Sequence, residues 1–201
     1  MRIAHILTVF GLSLLAAHAQ AAGSPEDIAR QWCANCHRAD GNSVSPLFPR
    51  LAGQQPAYLE QQLRAFRANN RSDQSAHDYM WGVAGTLDDA TISGLAAYFA
   101  AQKPQPDHAP VDRTLLSAGN ELYHNGRPAS GTTACAACHG AKAEGTEVAP
   151  RLANQHAAYI VKQLHVFETS QRPAATAMQS IIKTLSENDM QALGAYVQTL
   201  Q

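Results

Sequence analysis

Residues 33–37, Cys33-Ala34-Asn35-Cys36-His37, return 102 positions later as Cys135-Ala136-Ala137-Cys138-His139, and the two stretches contain all four cysteines of the 201-residue chain. The repetition continues downstream. Pro49-Arg50-Leu51-Ala52-Gly53-Gln54 recurs as Pro150-Arg151-Leu152-Ala153-Asn154-Gln155, and Tyr58, Gln62, Leu63 and Phe66 recur as Tyr159, Gln163, Leu164 and Phe167, all at an offset of 101. Met80, Thr86, Leu87, Leu95, Ala97 and Tyr98 then match Met178, Thr184, Leu185, Leu193, Ala195 and Tyr196 at an offset of 98. The second copy is therefore three residues shorter between its second and third helices. Self-similarity over such a span predicts two domains of one plan, each just large enough to bury its own core.

Between the copies, Lys103-Pro104-Gln105-Pro106-Asp107-His108-Ala109-Pro110 carries three prolines, which exclude a helix and favour an extended connector. The expected division is an N-terminal domain over 22–103, a linker over 104–112 and a C-terminal domain over 113–201. Residues 1–21 differ in kind: Arg2 is the only formal charge, Ile3 to Leu15 is apolar, and Ala19-Gln20-Ala21 reads as a small-residue cleavage site. This pattern predicts a signal peptide and export. A retained anchor would need a longer apolar run than the one bracketed by His5 and His18. With 45% hydrophobic and 15% charged residues and a formal charge of -1, the whole chain has an ordinary globular composition with no basic patch for nucleic acid.

Each half reads as helices joined by loops, so the predicted class is all-α. Ser24-Pro25-Glu26-Asp27 has the cap, proline and acids of a helix start running toward Trp32. Pro56 opens a second helix with Leu59, Leu63 and Phe66 on one face. Thr86-Leu87-Asp88-Asp89 and Thr184-Leu185-Ser186-Glu187 fit capping boxes ahead of a last helix. That helix buries Ile92, Leu95, Ala96 and Phe99 in one half and Met190, Leu193, Gly194 and Val197 in the other.

Four cysteines in an exported chain would ordinarily form disulfides, but a pair three residues apart closes only a very small loop and leaves each following histidine unexplained. A zinc ion would have to be shared by half-sites a linker apart, and no βαβ pattern supports a redox pair. Cys-x-x-Cys-His is the signature of covalent haem attachment. On a helical turn Cys33 and Cys36 lie on one face, able to form thioethers with the two vinyl groups of one haem, with His37 beneath the iron. Cys135, Cys138 and His139 repeat the arrangement, so two haem c groups are expected.

A sixth iron ligand separates electron transfer from catalysis. After residue 21 the chain has three methionines, of which Met80 and Met178 coincide in the repeat, seven residues before the leucine that precedes the last helix. These are the expected thioether ligands, in loops, whereas Met190 aligns with Ile92 on the buried stripe. His77 stands close enough to Met80 to compete for the iron, but nothing matches it before Met178, and it reads as a solvated loop residue, as do His124, His156 and His165. The carbonyls of Pro49 and Pro150 are placed to accept the free N–H of each proximal imidazole. Arg50 and Arg151 are either propionate partners or surface charges.

On these residues the chain resembles the dihaem class I c-type cytochromes of the cytochrome c4 family. Asp40-Gly41-Asn42-Ser43, Pro49 to Gln54, Gly140 and the two methionine segments add to the likeness over residues 24–201. The resemblance implies two cytochrome c folds facing each other across a pseudo-twofold interface, in a monomer with two haem domains. It implies a periplasmic electron carrier, not an enzyme, working between a quinol-oxidising complex and a terminal oxidase, with loose association to the membrane. The alternative is a redox subunit or small enzyme related to dihaem peroxidases or thiosulfate dehydrogenases. Two departures stand out: Arg38 occupies the place of Gly140, and Met80-Trp81 replaces a commoner pair of methionines.

Overall fold

A computed structural model describes residues 23–201; the expected signal peptide lies outside the described residues. Those residues are helical, with one isolated bridge between Arg127 and Thr132 and no strand among them. The first half runs α1 (Pro25–Ile28), α2 (Ala34–His37), α3 (Pro56–Arg67), α4 (Trp81–Ala84) and α5 (Asp89–Ala100). The second runs α6 (Leu116–Asn125), α7 (Ala136–His139), α8 (Ala157–Phe167), α9 (Thr176–Ile181) and α10 (Glu187–Thr199).

Ser24 caps α1 as its sequence predicts: its hydroxyl accepts the N–H of Asp27 while the Asp27 carboxylate accepts the N–H of Ser24, both at 3.2 Å. A π-helical turn over Ala29–Cys33 then joins α1 to α2, so the first cysteine lies on a wound-out turn of the kind found at functional sites. In the second half α6 stops at Gly126, and ten residues intervene before α7. The halves thus differ in how the chain reaches the first cysteine.

The first and last helices of each half cross closely enough to require glycine. A Cβ on Gly94 of α5 would lie 2.4 Å from Cγ of Pro25, and one on Gly119 of α6 would lie 2.2 Å from the carbonyl oxygen of Ala192 on α10. Beneath these crossings the expected stripes are buried: Ile92, Leu95, Ala96 and Phe99 on α5, and Met190, Leu193, Gly194 and Val197 on α10. Leu59 and Phe66 of α3 are buried too, and Leu63 packs against the cluster that holds Leu59.

The domains meet through reciprocal contacts, as a pseudo-twofold requires. The Arg71 guanidinium stacks on Phe66 of its own half, 4.7 Å from the ring centre, and donates to Gln62 (2.9 Å) and to Gln163 of the other half (2.9 Å). Arg172, 101 positions later, stacks on Phe167 at 4.6 Å and donates to Gln163 (2.8 Å), Gln62 (3.0 Å) and the Tyr58 hydroxyl (3.1 Å). Not every bond has a mate: Ser72 donates its N–H to the Gln171 carbonyl at 2.9 Å, and the corresponding residue is Pro173, which has no N–H.

The linker carries no helix but is fastened to both halves. Asn42 donates to the Lys103 carbonyl (3.1 Å) and accepts from the Gln105 N–H (2.8 Å), Asn154 accepts from the Asp107 N–H (2.7 Å), and Gln198 donates to the Ala109 carbonyl (2.9 Å). Gly53 leaves room for it, since a Cβ there would meet Cγ of Pro104 at 2.6 Å. His156, expected in solvent, is instead buried with Nδ1 2.7 Å from the Asp107 carboxylate, because the linker folds over the start of α8.

Candidate haem centres

In each half the two cysteines and the histidine lie on one short helical stretch, followed at once by a residue with positive φ that turns the chain away: Arg38 (φ 63°) and Gly140 (φ 85°). The helix-end carbonyls left open are satisfied from the loop, the Cys36 carbonyl by the Ser43 hydroxyl at 3.2 Å and the Cys138 carbonyl by Thr146 at 2.7 Å.

The chain then returns beneath the imidazoles. Nδ1 of His37 lies 2.9 Å from the Pro49 carbonyl and Nδ1 of His139 lies 2.8 Å from that of Pro150. A carbonyl only accepts, so Nδ1 carries the proton and Nε2 is left with its lone pair. Burial pushes both imidazoles below the ordinary 6.5, partly offset by the proline carbonyls, so both are neutral and able to ligate a metal. Burial also raises the Cys33 thiol and pushes the Cys135 thiol up to about 11. Such thiols are poor thiolate ligands, and among the described residues no three His, Cys, Asp or Glu side chains converge on one point.

The two methionines lie on helical turns and not in loops. Met80 ends a π-helical turn over Ala76–Met80 that leads into α4, and Met178 lies within α9. The three extra residues of the first half are taken up in winding ahead of Met80. Both methionines are half-buried. Met178 packs on the same apolar cluster as Cys135. In the first half Cys33 belongs to a cluster around Leu59, Leu95 and Phe99, and Met80 to a second around Phe66, Ala76 and Ala84, with Leu87 touching both. Trp81 is held by its indole N–H, which donates to the Arg71 carbonyl at 2.8 Å. His77 is exposed, bonds Asp78 at 3.0 Å and lies edge-on to Trp81.

Arg50 is not a surface charge: it is buried, donating to the Ser43 carbonyl (3.3 Å), to Asn42 (3.0 Å) and to the Gln105 carbonyl. Arg151 differs, because its Nε is buried with no hydrogen-bond partner among the described residues. Sequence reasoning gave no role to Gln54 and Gln155, although both recur in the repeat. Each reaches across the interface and bonds both the N–H and the carbonyl of the arginine opposite, at 2.9 and 3.0 Å. An identical polar residue in two copies of a repeat is the signal that could have found them.

The cytochrome c family model matches residues 26–103 and again 117–201. Cytochrome c4 of Azotobacter vinelandii is 39% identical over 178 residues, covering 84% of this chain and 84% of that protein. The solved cytochrome c4 of Acidithiobacillus ferrooxidans, 38% identical, superposes with a TM-score of 0.78 over 84% of this chain and 98% of its own. A thiosulfate dehydrogenase electron acceptor from Stutzerimonas stutzeri is 38% identical, over 82% of this chain and 76% of that protein.

Proposed function

Because this chain belongs to the cytochrome c family, as a dihaem member of the cytochrome c4 group, we propose that it carries electrons in the periplasm from a quinol-oxidising complex toward a terminal oxidase. It is an electron carrier and not an enzyme, and its cofactors are two covalently attached haem c groups. When bound, each haem c supplies reversible one-electron exchange at its iron. The chain's own residues decide how that exchange is anchored, tuned and shielded.

In this reading Cys33 and Cys36 hold one haem and Cys135 and Cys138 the other, with His37 and His139 giving Nε2 to the irons and Met80 and Met178 giving thioether sulfur. The residues present fit such a group. Nε2 of each buried imidazole is free while Nδ1 is committed, and the orphaned Nε of Arg151 has the geometry and charge to take a propionate carboxylate. The apolar clusters carrying Cys33 and Met80 would cover the macrocycle of the first half and exclude water. A thioether sulfur and an imidazole as ligands would favour ferrous iron, which suits a carrier that accepts electrons from a quinol donor.

The observation that carries the reading is the twice-built Cys-x-x-Cys-His turn, each with a buried imidazole oriented by a proline carbonyl. The test is the spectrum of the oxidised protein with haem counted per chain. Two haems and a methionine-to-iron charge-transfer band are expected; a high-spin spectrum or a single haem would overturn it. Met80→His and Met178→His should each lower one reduction potential and leave the other in place, and potentials that stay put in both variants would remove the ligand assignment.

Residues 1–21 direct export in this reading, 104–112 link the domains, and the mature chain is a monomer associating loosely with the membrane. Among the described residues no helix is long and apolar enough to cross a membrane. A second electron source is favoured by the likeness to a thiosulfate dehydrogenase electron acceptor. Mixing the oxidised protein with a quinol-oxidising complex or with a thiosulfate dehydrogenase, and timing its reduction, separates the two.

A further inference from the structure

The two proximal histidines are each joined to the opposite domain through a single peptide group. The Pro49 carbonyl that accepts from Nδ1 of His37 belongs to the same peptide as the N–H of Arg50, and that N–H donates 2.9 Å to Oε1 of Gln155 in the other half. The mirror path runs from His139 through the Pro150 carbonyl to the N–H of Arg151, which donates 2.9 Å to Oε1 of Gln54. Both glutamines are buried, and each is locked by its amide, Gln155 donating to the Arg50 carbonyl and Gln54 to that of Arg151, both at 3.0 Å. A side chain held at both ends in a buried interface is a fixed dipole.

We infer that Gln155 and Gln54 are positioning residues that set the ligand strength of the proximal histidine in the opposite domain. An amide whose N–H is engaged by an acceptor becomes polarised, and its own carbonyl accepts more strongly. A stronger acceptor at Nδ1 makes the imidazole more basic toward a metal and so stabilises the ferric state. Gln155 therefore lowers the reduction potential of the centre held by His37, and Gln54 that of the centre held by His139.

The two paths are unequal. Arg50 N–H has Gln155 as its acceptor, whereas Arg151 N–H is shared between Gln54 and Gln55, whose Oε1 stands 2.8 Å away. Gln55 has no counterpart in the other half, where position 156 is the histidine bonded to Asp107. Its amide passes so close to Gly145 that a Cβ there would lie 1.7 Å from its Nε2. Gln54 is thus backed up and Gln155 is not.

The inference rests on the axial-ligand reading above, and its test keeps the two apart. In the full-length protein carrying both haems, the two potentials are assigned to domains with Met80→His and Met178→His. The Nδ1–H resonances of His37 and His139 are then followed by NMR in the reduced state. Gln155→Leu should raise the potential of the N-terminal centre, and shift the His37 proton upfield, with the C-terminal values unmoved. Gln54→Leu should move the C-terminal centre less, and the Gln54→Leu, Gln55→Leu double variant should move it fully. Gln155→Glu keeps the acceptor with a stronger charge and should shift the His37 proton the opposite way, which covers failure of the leucine variant to fold. A change confined to the substituted half, equal changes in both, or no change in a folded holoprotein would overturn the inference. If instead the methionine variants leave both potentials in place, it is the ligand reading that fails.

Discussion

Arg38 holds a backbone conformation, φ 63° and ψ 157°, that its counterpart Gly140 adopts without steric cost. That region of backbone space belongs to glycine, and a residue with a Cβ held there stores about 1–3 kcal/mol. Its charged partner among the described residues is Asp40, 3.7 Å away between exposed groups, which contributes little. Arg38→Gly should therefore stabilise the protein by about 1 kcal/mol after the entropy of the freer unfolded chain is subtracted. Denaturant midpoints of the two proteins check it, and an unchanged or lower midpoint would count against strain at this turn. The sequence shows that the arginine is out of place; only the dihedral angles say what it costs. The same holds for Gln54 and Gln155, visible as repeated letters but legible as cross-domain ligands only once the peptides they engage are in view.

The last helix of each half is capped two residues after the position its sequence suggests, and the reason is which side chain reaches the exposed N–H groups. Thr86 and Thr184 read as caps, but the caps are Asp88, which accepts from the Thr91 N–H at 2.7 Å, and Ser186, which accepts from that of Asp189 at 3.3 Å. Asp189 completes a capping box on α10 and is also clasped by Arg127 at 2.5 and 2.9 Å, tying the segment between α6 and α7 to the last helix. The Arg127 hydrogen bonds, with those of Ser186, hold the Asp189 carboxyl well below its ordinary 3.8 against the opposing effect of burial. A depressed folded-state value means the contribution is complete above that ordinary value and is lost progressively as pH falls below it. Asp189→Asn should cost about 1 kcal/mol at neutral pH, and the gap to wild type should narrow between about pH 4 and pH 2. Urea unfolding of both proteins across that range is the measurement; a gap that does not vary with pH would assign the loss to packing instead.

Across the whole molecule, the interface pairs its arginines with glutamines reciprocally and is asymmetric in its charge. Arg71 pairs at 2.7 Å with Asp73, which is 1% exposed and whose second carboxylate oxygen has no partner among the described residues. The residue corresponding to Asp73 is Ala174, so Arg172 sits in the mirror position with glutamines and a tyrosine but no acid. Removing Arg71 leaves a buried carboxylate uncompensated, and Arg71→Met should cost about 3–5 kcal/mol. Arg172→Met removes hydrogen bonds and a ring stack without stranding a charge, and should cost about 1 kcal/mol. Equal losses in chemical denaturation would show that Asp73 does not depend on its partner. By itself the sequence determined the class, the two-domain plan and the cofactor, because helix periodicity and Cys-x-x-Cys-His spacing are local and were written twice. The tertiary structure decided what the repeat does at its centre: which arginine is buried and which is left with an open N–H, where the linker lies, and which domain's glutamine bonds the peptide beneath which domain's histidine. Those depend on contacts about a hundred residues apart in the chain, and no local pattern encodes which copy will face which.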